Sequence, residues 1–134
     1  MHIIVCLDDK DGMMFNNRRQ SQDSVLRKRV IEIADGFRLL MNSYSQKQFF
    51  DCTVLTADEN FLSIASEVDV CFVENLPLSE FVNRIRKITV FRWNRAYPSD
   101  MKFDIDLSCG WQLVETRNFA GSSHEKITEE VYVR

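Results

Sequence analysis

The residues from Asp8 to Asp23 hold the most concentrated polar chemistry in the chain. Three carboxylates, Asp8, Asp9 and Asp11, come first. Asn16-Asn17, the pair Arg18-Arg19, and then Gln20, Ser21, Gln22 and Asp23 follow. Paired guanidinium groups suit planar or phosphate anions, because each offers a rigid fork of donors. The pair also precedes a helix start, and a helix N-terminus favours anions. Arg18 and Arg19 are therefore candidate anion ligands at a cleft mouth, with Asn17 and Gln22 as further ligand-binding side chains. The plainer readings stand beside these. An arginine pair is commonly just solvated, Asn16-Asn17 supplies turn conformations, and Asp23 carries a charge that the helix dipole alone explains. The three early aspartates lack the full spacing of a calcium loop.

Other chemistries are absent from the sequence. Two histidines, His2 and His124, lie at opposite ends of the chain and cannot build a zinc site, so no metal site is expected. Neither standard phosphate-cradling glycine loop occurs, and no signal for a nucleophilic serine or cysteine is present. A net charge of −3 gives no general attraction to nucleic acid or anionic membranes. No apolar run is long enough to span a bilayer, and Met1-His2 leads directly into a strand-like run, so no leader peptide is expected. Cys6, Cys52, Cys71 and Cys109 show no C-x-x-C spacing. They read as reduced thiols of a cytoplasmic protein.

The polar stretch must be held by the elements around it. Ile3–Leu7 is a continuous apolar run, the pattern of a strand buried on both faces. Asp8–Gln20 reads as loop. Ser21 is the expected N-cap of a helix carrying Leu26, Val30, Ile33, Ala34 and Phe37, and Asp35-Gly36 should end it. Further strands are expected at 38–42, 52–56, 68–73 and 88–93. Short helices should start at Ser43 and Asp58, and another should start near Pro77 and carry Leu78, Phe81, Val82 and Ile85. The alternation implies a mainly parallel sheet. Trp111–Phe119 and Ile127–Val133 alternate in polarity around a Gly-Ser-Ser turn and predict an antiparallel hairpin. The expectation is one α/β domain, residues 1–134, with flanking helices and the first strand inside the sheet.

This order of elements resembles the dihydrofolate reductase fold family along nearly the whole chain. Ile3–Leu7 followed by Asp9 and Gly12 is similar to that family's first strand and loop. Leu39-Leu40-Met41 followed by Ser43-Tyr44-Ser45 is similar to the strand and short helix carrying its first phosphate-binding motif. Met101-Lys102-Phe103 and then Trp111-Gln112-Leu113-Val114 are similar to the segment before its long terminal hairpin, and the ending Tyr132-Val133-Arg134 is similar to the family's ending. By this resemblance Asp23 aligns with the family's proton-relay acid and is the candidate catalytic residue.

The family's other functional motifs are replaced. Arg18-Arg19 stands in place of a Pro-Trp pair. Asn42-Ser43-Tyr44-Ser45 stands in place of a Gly-Arg-x-Thr clamp for nicotinamide cofactor phosphate. Glu74-Asn75 stands in place of a Gly-Gly pair that lets the backbone approach the cofactor, and a carboxylate there repels a pyrophosphate. The resemblance thus implies a degenerate active site without NADPH-dependent reductase activity, whose former substrate cleft takes a small anionic or heterocyclic ligand. The sequence names no cofactor. Two alternatives stay open: a reductase acting on a pteridine or flavin-type substrate through an altered cofactor mode, and a protein-interaction module, with homo-oligomerisation compatible with any of these.

Overall fold

Ile3, Ile4, Val5 and Leu7 are fully buried, and β1 (His2–Leu7) is accordingly an inner strand. The computed structural model describes Met1–Arg134. After β1 come β2 (Gly12–Phe15), β3 (Arg18–Arg19), α1 (Ser24–Ile33), β4 (Leu39–Met41), α2 (Ser43–Gln46) and a 3-10 turn at Lys47–Phe49. β5 (Leu55–Ala57), α3 (Phe61–Ile64), β6 (Val70–Phe72), a 3-10 helix at Ser79–Arg84 and β7 (Lys87–Arg92) follow. β8 (Met101–Lys102), β9 (Gln112–Phe119) and β10 (Ile127–Val133) end the chain. The main sheet has seven strands in the order β5-β4-β6-β1-β7-β10-β9. Its first five are mutually parallel, and the β9–β10 hairpin is added antiparallel along β7. This is the expected α/β architecture, with β1 between β6 and β7.

Side chains alternate across the strands and build a core on each face. Ile3, Val5 and Leu7 point to one side with Leu40, Cys71, Ile88 and Val90, and this side is covered by Phe61, Leu62, Leu78 and Ile85. Ile4 points to the other with Leu39, Met41, Phe72 and Phe91, under Leu26 and Val30 of α1. Each large apolar side chain buried in this way contributes about 1.5–3 kcal/mol.

Several local features differ from the sequence expectation. The N-cap of α1 is Asp23, not Ser21: its carboxylate accepts from Val25 N and Leu26 N, while the Ser21 hydroxyl is 3.0 Å from His124 Nε2. The helix ends at Ile33, capped at Ala34. Gly36, at φ 84°, then turns the chain away, so Phe37 leaves the apolar stripe and is 54% exposed. The segment after Pro77 is a 3-10 helix rather than an α-helix, with its leading amides at Leu78 and Ser79 held by the Asp104 carboxylate. The expected strand at 52–56 forms later, at β5, because Cys52 N bonds back to Phe49 O and completes a turn there.

Asp8–Gln20 is also more than a loop. β2 and β3 form a hairpin across Asn16-Asn17, and β8 pairs with the other side of β2. Asn16 and Asn17 have φ 52° and 59°. Two successive left-handed residues make the two-residue hairpin turn whose twist matches its strands, and asparagine tolerates that backbone.

Candidate functional site

At the carboxyl ends of β1, β4 and β6 the chain presents Asp8, Asn42, Glu74 and Asn75, and β3 lies across them. Residues on β3 alternate, so its two arginines separate. Arg18 is exposed, while Arg19 turns inward. Arg19 Nε lies 2.9 Å from Glu74 Oε2, and Arg19 Nη2 lies 3.2 Å from Glu74 Oε1. The same guanidinium donates to Tyr44 O and sits over the Tyr44 ring at 4.5 Å. Gln48 Nε2 donates to Glu74 Oε2 from the other side. Burial disfavours the charged form of Arg19, but the Glu74 carboxylate overcomes this and raises its pKa. Next to this pair, Asn42 Nδ2 donates to Asn75 Oδ1 at 2.8 Å. The Arg18-Arg19 expectation is corrected accordingly: the two do not act as a pair, and Arg19 already holds an internal carboxylate. The Glu74 expectation changes too, because its charge is matched by Arg19 and what it offers a phosphate is chiefly bulk.

Asp8, just past β1, is saturated. Its carboxylate accepts from Lys10 N, Gly12 N, Gln20 Nε2 and Tyr97 N. Burial pushes its pKa up, and these donors together bring it below its ordinary value. It holds the loop rather than offering a base.

Asp23 is 2% exposed. Besides capping α1, it accepts from Ser122 N, Ser123 N, Ser123 Oγ and His124 Nδ1, at 2.8–3.1 Å. Burial raises its pKa, but the Ser123 and Ser122 amides, His124 and the Leu26 amide hold it far below the carboxylate range. A carboxylate so heavily bonded in its charged form has no proton to relay at neutral pH. The expectation of a catalytic Asp23 therefore meets a carboxylate that ties the β9–β10 turn to α1. Gly121 belongs to the same tie, because a Cβ there would stand 2.4 Å from Asp23 Oδ2.

His124, read from sequence as an isolated turn residue, lies inside this cluster. It is 6% exposed and stacks on Trp93 with ring centroids 4.6 Å apart. Its Nε2 lies 3.0 Å from Ser21 Oγ and 3.2 Å from Tyr97 OH. The order carboxylate, imidazole, hydroxyl is that of a hydrolytic relay. Here, however, Nε2 is shared by two hydroxyls under an aromatic cover, and neither neighbouring cavity is lined by Ser21.

The five sequence-predicted site residues do not share one cleft. Arg18 and Arg19 border a cavity of about 320 Å³ with Tyr97 and Pro98. Gln22 and Asp23 border another of about 420 Å³, with Arg27, Lys47, Gln48 and Phe50. Asn17 lines neither and serves the hairpin turn. At the second cavity the α1 terminus has no free leading amide, because Ser24 N donates to Ser122 Oγ and Asp23 takes the next two. Its positive character comes from Arg27 and Lys47, neither of which is in a salt bridge. Arg27 was findable in the sequence, one helical turn beyond Asp23. Lys47 was not, because it comes from the 3-10 turn after α2, and no local pattern brings that turn to the start of α1.

No helix is long and apolar enough to cross a membrane. No protein-family model matches the chain, and no curated protein matches it. Among solved structures it is similar to a dihydrofolate reductase from Enterococcus faecalis, in complex with NADP(H) and RAB-propyl, at a TM-score of 0.70. The match covers 99% of this chain and 95% of that one, at 13% identity. Low identity over nearly complete coverage speaks to architecture alone, and together with the parallel sheet, its antiparallel hairpin and the loop over its carboxyl ends it gives this chain the dihydrofolate reductase-like fold.

Proposed function

We propose that this protein uses its fold to bind a small anionic, aromatic ligand beside the start of α1, and that it does not reduce dihydrofolate with NADPH. The observation that carries the reading is the cavity of about 420 Å³ where Arg27 and Lys47 stand without carboxylate partners. Gln22 adds an amide donor at the same wall, and Phe50, 80% exposed, offers a ring face at the rim. Cations supply the attraction, the amide the orientation, and the ring a stacking surface.

A nicotinamide cofactor does not fit the strand ends. Hydride transfer needs the cofactor ring held at near-attack distance, and an error of about 1 Å costs about a hundredfold. The crevice beyond β1, β4 and β6 is filled by the Arg19–Glu74 pair with Gln48 and Tyr44, and by the Asn42–Asn75 bond. No unpaired cation is left there to hold a pyrophosphate.

The test has two arms. Purified protein with NADPH and dihydrofolate should show no loss of reduced-cofactor absorbance above the protein-free rate. A thermal-shift screen of folates, flavins, nucleotides and NADPH should give stabilisation by anionic heterocycles, because a ligand bound only by the folded state raises the melting temperature. The shift should vanish in Arg27→Ala/Lys47→Ala. Turnover of NADPH, or a shift indifferent to that double variant, overturns the reading.

A further inference from the structure

We propose that β9 is the surface through which two copies of this chain associate, pairing antiparallel about Thr116 so that their sheets become continuous. The main sheet has two edges, and they are built differently. β5 is only three residues long, the usual protection of a free edge. β9 has eight residues and no proline, and every residue from Gln112 to Asn118 is exposed. It displays Leu113 and Val114 at 47% and 51% exposure. Its inner side is taken by β10, and its outer side carries no strand. A strand of that length left open is a template for another strand.

The charge pattern identifies the partner. Two copies related by a two-fold axis normal to the sheet pair antiparallel, and residues directly opposite must share a face. The register must therefore be centred on a residue. Centred on Thr116, the strand sets Glu115 against Arg117 of the second copy and Arg117 against its Glu115. Opposite charges placed so are favourable, and like charges are not. Centring on Glu115 or on Arg117 opposes like charges, and centring on Asn118 leaves both charged residues without an ionic partner. Both side chains are available, at 53% and 49% exposure, and their contact within one copy is a loose 3.4 Å.

The irregularity in β9 fits the same register. On the β10 side, Val131 pairs with Glu115 and Tyr132 with Leu113, so Val114 is passed over as a bulge. If the second copy passes over Val114 in the same way, Leu113 meets Asn118 and Gln112 meets Phe119. Glu115 and Arg117 lie on the α1 face, opposite Val131 and Glu129, and Thr116 faces its own copy on the other side. A single-strand contact belongs to the small end of interface sizes, so the dimer should dissociate on dilution.

Sedimentation velocity at low ionic strength, up to about 1 mM protein, tests this. The unaltered chain should pass from monomer to dimer with concentration. Glu115→Arg opposes two arginines across each half of the interface, and Arg117→Glu opposes two glutamates. Each should weaken association by roughly tenfold or more. The combined Glu115→Arg/Arg117→Glu variant restores the pairing with its polarity exchanged, and should return the dimer. Circular dichroism should be the same for all four proteins. A chain that stays monomeric throughout, a dimer indifferent to both single reversals, or a combined variant no better than the singles overturns the proposal.

Discussion

At the residue scale, the densest interaction in the molecule is the one around Asp23. A single carboxylate caps α1, binds two successive amides of the β9–β10 turn and orients His124. An N-cap alone is worth about 1 kcal/mol, and leaving buried donors unmet costs about 1–3 kcal/mol. Asp23→Ala should therefore lower unfolding stability by about 2–4 kcal/mol in urea titration, with Asp23→Asn intermediate because asparagine still caps. If Asp23→Ala unfolds like the parent, the tie is energetically idle. The Arg19–Glu74 pair behaves differently. Arg19 retains 21% side-chain exposure and Glu74 only 8%, so solvent discounts the cation more than the carboxylate. Arg19→Ala should cost about 1–3 kcal/mol by leaving Glu74 buried without its cation. Arg19→Ala/Glu74→Gln should recover part of that loss in the same titration.

At the element scale, the β2–β3 hairpin depends on two consecutive left-handed asparagines. A left-handed backbone costs an alanine about 1–2 kcal/mol, and glycine is free of that penalty. Asn17→Ala should lower stability by about 1 kcal/mol while Asn17→Gly holds it level, as read by thermal unfolding. Equal losses in both would mean that the asparagine side chain, and not its backbone, secures the turn. The hairpin matters beyond itself, because it carries Arg19 onto Glu74. Weakening the turn should loosen that crevice.

At the scale of the whole molecule, acid stability is set in part by one half-buried imidazole in the central strand. Burial first, and then Lys87 and the terminal ammonium, push the His2 pKa down to about 3, while its Nε2 lies 2.7 Å from Thr89 Oγ1. The unfolded chain takes up a proton near pH 6.5 and the folded one does not. The stabilisation is therefore complete above pH 6.5 and is lost as the pH falls toward 3. By pH 5 the loss should be about 2 kcal/mol, since each pH step of one unit in this window is worth about 1.4 kcal/mol. Asp8 and Asp23, whose pKa values are depressed, add their own loss only below about pH 4. Unfolding free energies measured between pH 7 and 5 should fall for the parent chain and be flatter for His2→Gln. Parallel curves would remove His2 from the account.

The sequence alone determined the architecture, because it is written in local period. Ile3–Leu7 reads as a two-face strand wherever it is placed, and the alternation in 111–119 and 127–133 is that of a hairpin. Leu26 and Val30 mark the buried stripe of α1 without reference to anything else. It also raised the expectation that Asn42–Ser45 and Glu74-Asn75 differ from the cofactor motifs of the family it resembles, since those are contiguous residues. What it could not supply is pairing between segments far apart in the chain. Arg19 finds Glu74 across 55 positions and Asp23 finds His124 across 101. No local pattern records either meeting. Arg18 and Arg19 look equivalent until a strand sends them to opposite faces, and an aspartate at a helix start looks available until a distant turn saturates it. Which polar groups are left free to meet a ligand is decided by who else reaches them first, and that is a property of the folded chain.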